Sequence, residues 1–153
     1  DRVFIGLSAR TDRAGAAALM GCLAQLGLRG EVAQTPAGTL HLKTASSLVD
    51  EETVLATAPL AASGLFRNYR VLVVPDGEEG GANVLRVNDR LLCGVRFERT
   101  RELLERHGVH TVGLETDEIG RIDAGLTCMS LRWCAGRSDD QEGAGPLGLS
   151  ASR

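Results

Sequence analysis

Apolar residues along this chain come in short bursts, and their spacing predicts strands alternating with helices. "RVFIGLS", beginning at Arg2, reads as an apolar strand that the polar stretch "ARTDRAG" interrupts. From Asp12 to about Gly27, Ala, Leu and Met recur at helical spacing. Asp12 has the side-chain oxygen to cap the first turn, and Gly27 has the backbone freedom to end the last. "GEVAQT" is expected as a short strand, and "GTLHLKTASSLVDEETVLATA" as two strands around the acidic turn "DEE". A short helical piece near "LAASGLFRNY" precedes the Val-rich strand "RVLVVP". "GANVLRVNDRLLCGV" reads as a hairpin turning at "VNDR". The helix "ERTRELLERHG" should stop at Gly108, followed by the strand "HTVGLET" and a last strand "AGLTCMSLRW". From Ala135 to Arg153 the residues are mostly Gly, Ser and Asp with little to bury, so residues 1–134 are expected to form the domain and 135–153 a disordered tail.

The order hairpin, helix, strand recurs, which suggests an internal repeat. Gly38, Gly81 and Gly125 each open one of these apolar bursts, at intervals of 43 and 44 residues. Three residues beyond each glycine stand His41, Val84 and Cys128. A ββαβ unit at this period suggests blades of a pseudo-symmetric α/β ring, in which equivalent positions face a common axis. Two of the three equivalent positions carry side chains suited to nucleophilic catalysis.

Composition narrows the classes of function. With 153 residues the chain suits one domain with a real core. A net charge of −3 and 3% aromatic residues give no case for nucleic-acid or membrane-surface binding. No apolar run approaches the roughly 18 residues of a membrane span, and the charged start leaves no signal-peptide pattern. Because the chain begins at Asp1 almost inside a strand, it is expected to be cut from a larger protein. Cys22, Cys93, Cys128 and Cys134 form no CxxC pair and no zinc-site spacing, which points to reduced thiols in the cytoplasm.

Each candidate for chemistry has a plainer alternative. Cys128 alone could be a buried, inert thiol. His41 alternates with Leu40 and Leu42, so in a strand it points away from the apolar face. Together, in one repeat register, they make a Cys/His pair. A thiol with a pKa of about 8.5 is only a few per cent ionised at neutral pH, and a nearby imidazolium or cationic substrate would raise that fraction. Asp123, in the loop before Cys128, could cap or hold a cation. Arg10, at the turn after the first strand, could be solvated or clamp a carboxylate. His107 and His110 suit a helix end and surface. Cys22, on the buried side of its helix, and Cys93, in a hairpin strand, suit packing.

The segments "FIGLSART", "LHLKT", "ANVLRVNDR" and "DAGLTCMSLRW" resemble, in order and spacing, the dimethylarginine dimethylaminohydrolase family of the amidinotransferase and arginine deiminase superfamily. The resemblance runs from Val3 to Trp133 and implies part of a five-bladed α/β propeller, roughly its C-terminal half. It implies Cys128 as nucleophile, His41 as general acid/base, Arg10 as the carboxylate-binding arginine, and Asp123 with the backbone of Ile122 as the loop contacting the substrate. The implied reaction converts N-methylated arginine to citrulline through a covalent cysteine intermediate, without metal or organic cofactor. The family's guanidinium-holding carboxylates and the acidic partner of the histidine belong to the other half. The chain is therefore expected to be inactive or nearly so alone and to associate, with that half or with itself. A deiminase that releases ammonia from arginine, and a non-catalytic binding fragment, are the alternative readings.

Overall fold

The computed structural model describes residues 2–131. The expected tail at 135–153, Cys134 and Trp133 lie outside the described residues. Strand β1 (Arg2–Leu7) pairs in parallel with β2 (Arg29–Gln34), and helix α1 (Arg13–Gln25) connects them. Asp12 caps α1 as expected, its carboxylate accepting the Gly15 amide at 2.7 Å. Gly27 then takes a left-handed backbone, φ 70°, which ends the helix. Ile5, Leu7, Ala16 and Leu23 form the core between this helix and β1.

Two ββαβ units follow, with identical topology. In the first, β3 (Ser46–Leu48) is antiparallel to β4 (Thr53–Ala56), and helix α3 (Ala58–Ala62) leads to β5 (Arg70–Val73), which is parallel to β4. In the second, β6 (Leu85–Val87) is antiparallel to β7 (Arg90–Gly94), and helix α4 (Glu98–Arg106) leads to β8 (Thr111–Leu114), parallel to β7. The predicted hairpin turn falls at Asn88–Asp89, and Gly108 ends α4 with φ 78°. Each central strand is the buried one; all four residues of β4 are buried.

Leu55 and Leu72 from the first unit pack with Val84, Leu91, Cys93 and Leu104 from the second, so one core joins the two sheets. Phe4 of β1 packs edge-to-face on Phe66 and Tyr69, joining the first sheet to the next core. Neighbouring units thus share apolar layers.

Several expectations need correction. "TLHL" is not strand: His41 is the cap residue of a single helical turn, α2 (Leu42–Ala45). The alternation of Leu40 and Leu42 about His41 marks entry into that turn. The short helical piece expected near "LAASGLFRNY" is present as α3, with turns from Ser63 onward. The final strand is absent over its described part; residues 126–129 form a turn in which the Cys128 and Met129 amides both donate to the Gly125 carbonyl. A short helix, α5 (Asp117–Arg121), precedes it without any matching expectation. The three glycines are not equivalent either. Gly38 sits in a left-handed turn, Gly81 is buried in a 3₁₀ turn (Glu79–Ala82), and Gly125 abuts Asn83. The repeat is real in its ββαβ topology, while the glycine register that suggested it is not. Cys22 is exposed, on the solvent side of α1.

Candidate active site

A cleft of about 990 Å³ opens where the first β-unit, α2, the 3₁₀ turn and the loop after α5 meet. Arg10, His41, Ile122 and Asp123, from three separate stretches of chain, all line it. Cys128 is not part of the lining. It is exposed on the adjoining turn, and its sulfur lies 3.9 Å from the side-chain nitrogen of Asn83, which does line the cleft.

Short polar ties fix the segments that carry these residues. Ser8, just past β1, donates to the Leu40 carbonyl at 2.6 Å and accepts the Arg10 amide at 3.1 Å. One hydroxyl thus sets both Arg10 and the residue before His41. Thr35 donates to the Leu7 carbonyl at 2.7 Å, fastening the same corner. The His41 carbonyl accepts from both the amide and the hydroxyl of Thr44, which closes the α2 turn and leaves the imidazole exposed at its head. Two residues on, the Lys43 ammonium donates to the Thr127 carbonyl at 3.2 Å, linking the histidine-bearing turn to the cysteine-bearing one.

Asp123 takes a left-handed backbone, φ 56°, one residue after the exposed Ile122 that ends α5. Such a conformation is uncommon outside glycine and is best tolerated by Asn and Asp. The bend turns the chain from α5 into the cysteine-bearing turn.

The lining also holds charges that the sequence did not single out. Glu79 accepts the Gly77 amide at 2.9 Å, and that bond lowers its pKa below the ordinary carboxylate range. Arg96 pairs with Asp117 at 3.5 Å and stands over the Phe97 ring. The cleft therefore presents two guanidinium groups, Arg10 and Arg96, and two carboxylates, Glu79 and Asp123. That mix suits a small zwitterionic ligand better than an apolar one. Among the other thiols, burial pushes the Cys93 pKa up, which makes it a poor nucleophile. His107 contacts the Leu103 carbonyl from the end of α4, the surface role expected of it.

No family model matches the chain. It is 34% identical over 133 residues to the N(G),N(G)-dimethylarginine dimethylaminohydrolase of Pseudomonas aeruginosa, an alignment covering 87% of this chain and 52% of that protein. A crystal structure of the enzyme from that organism, a cysteine-to-serine mutant complexed with citrulline, superposes with a TM-score of 0.81 at 32% identity, covering 86% of this chain and 51% of that one. Over most of its own length the chain is therefore related to the dimethylarginine dimethylaminohydrolases. A saxitoxin-pathway amidinotransferase from Microseira wollei shares the fold at TM-score 0.73 and 16% identity, over 83% of this chain and 40% of its own. The two ββαβ units are blades of the α/β propeller of this superfamily. The chain spans about half the length of the family members it matches.

Proposed function

We propose that this chain carries the nucleophile and acid/base side of an amidine hydrolase. That enzyme converts asymmetric dimethylarginine or monomethylarginine, with one water, to citrulline and dimethylamine or methylamine. The observation that carries the reading is the convergence of Arg10, His41, Ile122 and Asp123 on one cleft whose wall touches Cys128. The related enzyme whose structure holds citrulline supports the product.

In this mechanism the Cys128 thiolate attacks the guanidinium carbon, whose positive charge favours the ionised thiol beside it. The tetrahedral adduct collapses as protonated His41 gives its proton to the departing amine. The neutral imidazole then takes a proton from water, which attacks the S-alkylthiouronium carbon. Breakdown of that second adduct expels the thiolate and, as the hydroxyl proton passes to solvent, leaves citrulline. Arg10 binds the α-carboxylate as a two-point clamp, and Asp123 with the Ile122 backbone holds the amino-acid end. A free thiolate requires a reducing compartment, which fits a cytoplasmic setting. Among the described residues, no helix is long and apolar enough to cross a membrane.

His41 and Cys128 are both exposed in this chain, so the site has not excluded water and holds a cationic group only loosely. We expect the chain alone to turn over dimethylarginine at a trace rate, rising when the remaining half of the family fold is added. Citrulline formation measures it. Cys128→Ser should abolish the complemented activity, with mass spectrometry finding no adduct; undiminished turnover in that variant would overturn the reading.

A further inference from the structure

Asn83 is buried at the end of the 3₁₀ turn that precedes β6, with its side chain facing the cysteine-bearing turn 45 residues further along. Its Oδ1 accepts the Thr127 amide at 3.0 Å. A backbone N–H can only donate, so that bond fixes which way the Asn83 amide faces. Its Nδ2 is therefore the atom 3.9 Å from the Cys128 sulfur, within hydrogen-bond reach for sulfur. Close packing completes the arrangement: a Cβ built at Gly125 would run into the Asn83 amide. With Lys43 on the Thr127 carbonyl, both polar groups of that residue's backbone are held by side chains from other elements.

We propose that Asn83 is a positioning residue for the nucleophile, fastening the 125–129 turn through one amide atom and donating a hydrogen bond to the Cys128 thiolate through the other. The assignment rests on the reading of Cys128 as nucleophile. A donor aimed at sulfur favours the ionised form, because the anion is the stronger acceptor. Alanine would remove both contacts. Aspartate would keep an acceptor for the Thr127 amide, while losing the donor and adding a negative charge beside the sulfur.

The test is the pH dependence of iodoacetamide labelling at Cys128, read by peptide mass spectrometry on the full chain. Continued protection of the buried Cys93 reports that each variant is folded. Asn83→Asp should move the labelling midpoint upward by about one pH unit, slowing the reaction about tenfold at neutral pH, and Asn83→Ala should move it in the same direction. A folded Asn83→Asp or Asn83→Ala chain with the parent's profile would overturn the assignment, because a merely structural amide leaves the thiol's titration alone. Undiminished turnover by Cys128→Ser would instead remove the nucleophile reading beneath it, so the two failures are distinguishable.

Discussion

At the scale of single residues, the site depends on contacts too short to tolerate a methyl group. Gly125→Ala puts a Cβ into the Asn83 side chain, so either the amide swings away or the Cys128 turn shifts. The expected outcome is slower Cys128 labelling with little change in thermal midpoint, since Gly125 lies in a partly exposed turn outside the apolar cores. A parallel loss of global stability would show instead that the turn supports the fold. Arg10, His41, Asp123 and Cys128 could be raised as candidates from the sequence because their side chains can attack, ionise or carry charge, and the family resemblance gave each a role. Asn83 could not. An asparagine in "GANV" carries no signal until the fold sets it against Thr127 and Cys128. Ser8 was hidden for the same reason, because its partner at Leu40 is 32 residues away.

Among the elements, α4 shows how a helix can start without a cap of its own. Its N-cap residue is Phe97, which has no side-chain acceptor. The nearly buried Glu78, just before the 3₁₀ turn, supplies one, taking the Thr100 amide and hydroxyl at 2.8 Å each and the Arg99 amide at 3.2 Å. Burial pushes the Glu78 pKa up, but these hydrogen bonds from Thr100 and Arg99 outweigh it and hold the group below its ordinary range. A folded pKa below the unfolded one adds stability above the unfolded value and loses it as pH falls through the folded value. Chemical denaturation should therefore find the chain losing stability from about pH 4.5 downward. Glu78→Gln should cost about 1–3 kcal/mol at pH 7 and flatten that acid dependence. An unaltered acid limb in the variant would reassign the effect to other carboxylates. Helices α1 and α4 were legible because periodicity and terminal glycines are local signals. The "LTCMSL" turn was misread because its alternation mimics a strand, while side chains from elsewhere hold it as a turn.

At the scale of the molecule, the two ββαβ blades share one apolar core, yet apolar surface remains outside it. Leu48 on β3, Val73 on β5 and Leu114 on β8 are exposed, as are Ile122 before the Cys128 turn and Met129 within it. The sequence disclosed the blade order through its recurring hairpin, helix and strand. It could not disclose which faces stay uncovered, since exposure depends on how the blades stack. Strands β3 and β5 flank the buried β4 and carry backbone groups able to pair with further chain. Such surface favours association, and part of it, Ile122, lies on the cleft wall. Sedimentation across micromolar concentrations should show self-association by the chain alone. A polypeptide carrying the half of the family fold that this chain does not match should replace those contacts with a defined one-to-one complex, and citrulline formation should rise with its occupancy. Leu48→Glu, at an exposed strand edge and not among the residues lining the cleft, should weaken self-association without changing Cys128 labelling. A chain that stays monomeric throughout, and gains no turnover from the added half, would mean that the exposed leucines and valines are ordinary surface.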